Sequence, residues 1–229
     1  MSQLEPFSDH VWTVYHPLSV AGLKLGARAT IVRLPSGRLA IISPVPFDDT
    51  TADAIDELGE VDTIIAPNKL HHLYFGDACR RWPEARALVP SGLDEKVRLP
   101  EHAVAMGQRG SIEDVLCWIA VDGAPKLEEH LFVDTRDGVL VVSDLAFYFV
   151  DHPQWILRQA MRLNGVYGRF GPSRIAKKVL FDEPRAIADS LAEVLELSWD
   201  SIIVAHGEPI PEGGRALFEE AFSPYLPNR

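Results

Sequence analysis

The sequence predicts an α/β chain, α+β in the part where hairpins make the sheet antiparallel. Three observations carry this expectation. Residues 38–89 alternate strand, helix, strand, helix, strand, the pattern of parallel neighbours joined by crossover helices. Two segments, 28–43 and 129–144, instead read as hairpins about a Pro-Ser-Gly and an Asp-Gly turn. Finally, 229 residues with 47% apolar and 24% charged side chains suit an ordinary globular core and argue against disorder.

In order, residues 11–15 alternate weakly and give a first strand. Residues 28–34 and 38–43 form the first hairpin, closed by Pro44 and Pro46. Asp48 to Thr51 offer caps for a short helix whose Ala54, Ile55 and Leu58 share a face. Residues 61–66 are a buried-type strand that breaks at Pro67-Asn68, presents His71-His72 and runs into a helix through about Trp82. Residues 85–89 make another strand, and 113–121 a further one carrying Cys117, which is expected to be a buried thiol. The second hairpin follows, then a helix over 154–164. The strongest helical pattern spans 184–197, where Ile187, Leu191, Val194 and Leu195 follow i, i+4, i+7, i+8. A strand over 201–205 ends at His206-Gly207, and a helix over 214–222 closes the chain. With no repeat or linker, residues 1–229 read as one domain.

The net charge of −11 disfavours nucleic acid as a partner. Two distant cysteines, Cys79 and Cys117, support neither a disulfide framework nor a thiolate metal site, so a reducing, cytoplasmic setting is expected. The start of the chain has no basic region followed by an apolar core, so no secretory leader is expected, and no apolar run is long enough to span a bilayer.

Three titratable side chains stand just past the ends of apolar strands: His72, Asp144 and His206. If those strands share one sheet, the three converge on its rim. Two imidazoles and a carboxylate with a free fourth position suit a catalytic Zn or Fe ion. Neighbouring residues on a helix point about 100° apart, so His71 and His72 cannot both aim at one centre, and the spacing leaves open which one does.

The order of these elements resembles the metallo-β-lactamase superfamily over roughly residues 11–222. More narrowly, Ala66-Pro67-Asn68-x-x-His71-His72-Leu73 resembles a branch of that superfamily labelled a domain of unknown function. The resemblance implies a four-layer αββα sandwich with the site at the shared edge of two sheets. Of the family's His-x-His-x-Asp-His motif, the matching positions here are Asn68, Leu70, His72 and Leu73. The family's next histidine falls near Ala124-Pro125 and is missing; Asp144 and His206 match its late ligands. What this implies is a degenerate site with at most one Zn or Fe ion, held by His72, Asp144 and His206. Asn68, as an oxyanion or substrate contact, and His71 are then the catalytic candidates.

The expected activity is metal-dependent hydrolysis of an ester, thioester or phosphoester; the alternative is a non-catalytic module that binds a small anion or a protein. Between Asp151 and Asp182 the chain has Arg158, Arg162, Arg169, Arg174, Lys177 and Lys178 and no acidic residue. This segment, 152–181, reads as a basic lid steering a small anionic substrate towards Asp144. A membrane partner is not expected, and the oligomeric state is left open.

Overall fold

The computed structural model describes residues 3–226; of the starting residues on which the expectation about a secretory leader rests, Met1 and Ser2 lie outside that range. The first half of the chain runs β1 (Leu4–Pro6), β2 (Val11–His16), β3 (Ser19–Val20), β4 (Leu23–Lys24), β5 (Ala27–Arg33), β6 (Leu39–Ile42), α1 (Asp49–Leu58), β7 (Val61–Ile65), α2 (Phe75–Arg81), β8 (Arg86–Val89) and β9 (Ala103–Ala105). The second half runs β10 (Arg109–Ile112), β11 (Leu116–Ala120), β12 (His130–Asp134), β13 (Val139–Val142), α3 (Trp155–Asn164), α4 (Arg174–Val179), α5 (Pro184–Val194), β14 (Ser201–Val204) and α6 (Gly214–Phe222).

Two sheets result. Seven strands lie in the order β1-β2-β5-β6-β7-β8-β9 and five in the order β10-β11-β12-β13-β14. Strand side chains alternate between faces, and here the alternation assigns the layers. In β6, Leu39 and Ile41 pack with Ile55 of α1 and Phe75 and Ala78 of α2. Ala40 and Ile42 face the other way, into a cluster shared with Phe132, Val139, Val141 and Ile203 of the second sheet. In β13, Leu140 and Val142 turn outward onto Ile187 and Leu191 of α5 and Phe218 of α6. Helix, sheet, sheet, helix is therefore the order, the expected αββα sandwich. Strands covered on both faces need continuous apolar runs, which is what Leu-Ala-Ile-Ile and Val-Leu-Val-Val supply.

Among the named strands, parallel pairing runs through β6-β7-β8-β9 and β13-β14. The two hairpins form as read, with β5–β6 and β12–β13 antiparallel. Three local expectations need correction. The helix after β7 begins only at Phe75, because the Asn68 side-chain oxygen accepts from the backbone N–H of Leu70 and His71 and holds the chain in a turn. The strand expected from 113 starts at Leu116, since Glu113 and Asp114 have positive φ (51° and 57°) in the turn between β10 and β11. Cys117, expected buried, is only partly so; Cys79 on α2 is the buried thiol, and both are free. Among the described residues no helix is long and apolar enough to cross a membrane.

Candidate metal centre

The parallel pair β13–β14 sets two of the site residues side by side. Val142 is in register with Val204, so Asp144 and His206, each two residues further on, leave the sheet at one level. The third comes from the opposite sheet, where β6 and β7 are parallel with Ile42 level with Ile65. The loop after β7 crosses the edge of the sandwich and is stitched to the second sheet by Lys69 N–H to the Leu127 carbonyl and His130 N–H to the Pro67 carbonyl, both 2.9 Å. The three strands do not share one sheet; the side chains meet across the edge between two.

His71, not His72, is the histidine brought to Asp144 and His206. Its Nε2 lies 3.1 Å from Asp144 Oδ2 and 3.1 Å from His206 Nε2, and His206 Nε2 is 3.5 Å from Asp144 Oδ1. His72 turns away, with Nδ1 3.0 Å from the Lys69 carbonyl. The turn made by Asn68 accounts for the difference: it stops the helix that was expected to orient the pair.

The remaining atoms of the three side chains are all tied down. His206 Nδ1 donates to the Gly26 carbonyl at 2.6 Å, which leaves its Nε2 as the inward nitrogen. His71 Nδ1 meets Ser43 Oγ at 2.6 Å. Ser43 is buried at a positive φ of 55°, a conformation non-glycine residues adopt at some cost, and one that recurs at functional sites. Phe147 stacks on the His206 ring with centroids 5.7 Å apart. Gly207 has φ 103°, and a Cβ there would lie 1.9 Å from the Tyr148 carbonyl oxygen, so glycine is required where His206 leaves its strand.

Asn68 lies behind Asp144 and is fully buried. Its amide nitrogen donates to Asp144 Oδ2 and to Glu129 Oε2, both at 2.9 Å, while its oxygen caps the turn. Expected as an oxyanion or substrate contact, it has both its amide nitrogen and its oxygen engaged within the chain. Glu129 was not singled out from the sequence. It is fully buried and accepts from the backbone N–H groups of Ser143, Asp144 and Leu145 as well as from Asn68, at 2.8–3.0 Å. The adjacent Glu128-Glu129 before an apolar strand was the available signal, but it does not say which acid turns inward.

Burial opposes charge on Asp144, yet the charge of His71 and hydrogen bonds from both histidines outweigh it and hold the carboxyl well below the usual range. Burial likewise opposes a charged His206, and Asp144 more than compensates, raising its pKa. Glu129 goes the other way: burial and the neighbouring Asp144 charge push it up to about 7 against the pull of its donors.

The donor set fits a metal ion. One ligand atom from each of His71, Asp144 and His206 can be chosen so that all lie within 4.8 Å of one another. A tetrahedral ion with bonds near 2.0–2.1 Å has ligand–ligand edges of about 3.3 Å, close to the 3.1 Å that His71 Nε2 keeps from both Asp144 Oδ2 and His206 Nε2. Orientation of each imidazole through its second nitrogen is the arrangement metal-ligating histidines use. A cavity of about 260 Å³ opens onto this trio, walled by Leu18, Val20, Leu25, Leu70, Leu73 and Tyr74. Among the described residues no lysine or arginine lines it. Of the basic segment, Arg169, Arg174 and Lys177 line a separate cleft with Glu220 and Ala221 of α6.

Solved structures of similar shape agree with this architecture. DIM-1 metallo-β-lactamase superposes with a TM-score of 0.66 at 11% identity, covering 97% of both chains. The mono-zinc form of the metallo-β-lactamase FIM-1 from Pseudomonas aeruginosa gives 0.63 at 13% identity, over 98% of this chain and 94% of that one. The metal-soaked Flv1 flavodiiron core from Synechocystis sp. gives 0.65 at 14% identity, over 98% of this chain and 60% of that one. A sequence-family model described as a domain of unknown function, DUF4336, matches residues 8–110. That stretch holds Ser43, Asn68 and His71 but ends before Glu129, Asp144 and His206. No curated protein matches the chain. The chain thus has the metallo-β-lactamase fold, in a divergent form.

Proposed function

We propose that the protein is a mononuclear metal-dependent hydrolase of an ester or thioester with an apolar acyl group. One observation carries this reading: three ligand atoms converge at the floor of an apolar cavity while every other polar atom of their side chains is engaged. His71, Asp144 and His206 would hold one Zn or Fe ion. Such an ion supplies Lewis acidity, polarising a carbonyl and acidifying water. The chain's own residues do the rest. Ser43 and the Gly26 carbonyl fix the two imidazoles, Asn68 fixes Asp144, and the leucine-rich walls exclude bulk water and accept the acyl chain. A phosphoester is less well served, because the lining has no cation to meet its charge.

Elemental analysis of the purified protein beside four variants tests the reading. Stoichiometric Zn or Fe is expected in the wild type and in His72→Ala, and its loss in His71→Ala, Asp144→Ala and His206→Ala. Hydrolysis of p-nitrophenyl esters should rise with acyl length and vanish with the metal. A metal-free protein, neither stabilised by added Zn²⁺ or Fe²⁺ nor sensitive to chelator, overturns the hydrolase and leaves the binding module.

A further inference from the structure

The surface of α3 and α4, joined where Arg174 donates to the Leu163 carbonyl at 3.1 Å, carries two properties that soluble surfaces seldom combine. Trp155 is 63% exposed, Ile156 58%, Leu163 74% and Ile175 62%. Of the eleven large apolar side chains exposed among the described residues, six fall between Val150 and Val179, and three more, Val20, Leu70 and Leu73, wall the cavity. Isolated exposed leucines mean nothing, but a contiguous group marks an interaction surface.

The same face is cationic. Arg158, Arg162, Arg169, Arg174, Lys177 and Lys178 are uninterrupted by any acid from 152 to 181 in a chain of net charge −11. Acids from elsewhere offset few of them: among the described residues only Arg169 has a carboxylate within ion-pair distance, Glu220 at 3.7 Å, which also lines the cleft with Arg174 and Lys177. Asp182 instead faces Lys126 at 3.3 Å. Helical geometry places the two properties together. At 100° per residue, buried Leu157 and Met161 define the inner side of α3. Its outer side then presents Trp155, Leu163 and Ile156 as one stripe, with Arg158 and Arg162 along its flank. On α4, buried Ala176 turns Arg174, Ile175 and Lys178 outward.

We propose that this face docks on an anionic lipid bilayer, although the sequence led us to expect no membrane partner. A tryptophan and branched aliphatics beside arginines and lysines match an interface whose headgroups are negative and whose acyl region is apolar. The chain's overall negative charge does not prevent this, because screening at physiological ionic strength acts over about 8 Å and leaves the local patch to decide. The docked orientation also brings the cavity close to the lipid. Gln154, which precedes α3, accepts from Lys24 N–H at 2.9 Å and donates to the Gly22 carbonyl at 2.8 Å. That ties α3 to the β3–β4 hairpin, and Val20 and Leu25 at that hairpin wall the cavity. The surface is independent of the metal centre and stands whether or not the protein is a hydrolase.

Flotation with vesicles tests it. The protein should float with phosphatidylcholine–phosphatidylglycerol vesicles at low salt, fail to float with phosphatidylcholine alone, and detach as salt rises. Each basic residue at such a surface is worth about fivefold in affinity, so Arg162→Ala, Lys177→Ala and Lys178→Ala together should weaken binding about a hundredfold. Trp155→Ser with Ile156→Ser should weaken binding at every salt concentration. Thermal unfolding should be unchanged in both, since these side chains point outward. Arg80→Ala, Arg81→Ala and Arg86→Ala, the same charge change on α2 and β8, should leave binding intact. Absence of flotation, equal binding to neutral vesicles, or equal loss in that control overturns the proposal. So does a dimer in sedimentation that Trp155→Ser with Ile156→Ser dissociates while vesicles bind nothing.

Discussion

On one side of Asp144, His71 and His206 turn their Nε2 atoms towards each other across 3.1 Å, with only Asp144 and the cavity around them. On the other side, Asn68 and Glu129 form a closed network in which four donors meet one carboxylate. Both halves are buried and polar, yet only the first has donor atoms left for a ligand. The second satisfies itself, which is why a buried glutamate can stand there without a cation. Three convergent ligand atoms with a structural polar core beside them are the consequence.

The most forceful way to break this contrast is to remove each half in turn and read stability. Glu129→Ala would strand three backbone N–H groups and the Asn68 amide, each costing about 1–3 kcal/mol when buried unpaired. Allowing for relaxation, a loss of about 4 kcal/mol is expected, or a Tm drop of about 10 °C for a chain of this size, with or without added metal. His206→Ala should behave oppositely, costing less in metal-free protein but abolishing the stabilisation by Zn²⁺. If Glu129→Ala cost nothing, or if its cost vanished on adding Zn²⁺, the two halves would not be separate.

A smaller effect should come from Ser43→Ala, which frees one side of the His71 ring. Loss of such an orienting partner lowers metal affinity about 10–100-fold, readable by competition with a chelator of known affinity. Stability should fall by only about 1 kcal/mol. An unchanged affinity would mean that Ser43 does not set the direction of His71.

The mildest test is pH. Metal binding needs neutral imidazoles, whereas Asp144 raises the pKa of His206. Protons therefore compete from a higher pH than the ordinary histidine value of about 6.5. Metal retention, followed by equilibrium dialysis, should be complete in mild alkali and fall as pH drops through neutrality. Glu129→Gln, which removes a negative charge that helps raise His206, should shift that fall to lower pH. A shift in the other direction would contradict the assigned electrostatics.

The sequence by itself determined most of the scaffold. Leu39–Ile42 and Val139–Val142 are apolar throughout, and Ser201–Val204 after its first residue, because each strand is covered on two faces, and a pattern of that kind is local. Asp144 and His206 were legible for the same reason, each standing just past such a run. Tertiary structure alone decided the rest. The choice of His71 over His72 depends on a turn that Asn68 holds while its amide reaches Asp144 and Glu129, 76 and 61 residues away in sequence. The role of Glu129 depends on backbone donors from the next strand, and that of Ser43 on a ring delivered from another loop. That Arg169, Arg174 and Lys177 share a cleft with Glu220 follows from where α4 and α6 pack. Side chains whose partners are distant in sequence leave no periodic trace, so their direction is settled only when the two sheets close on each other.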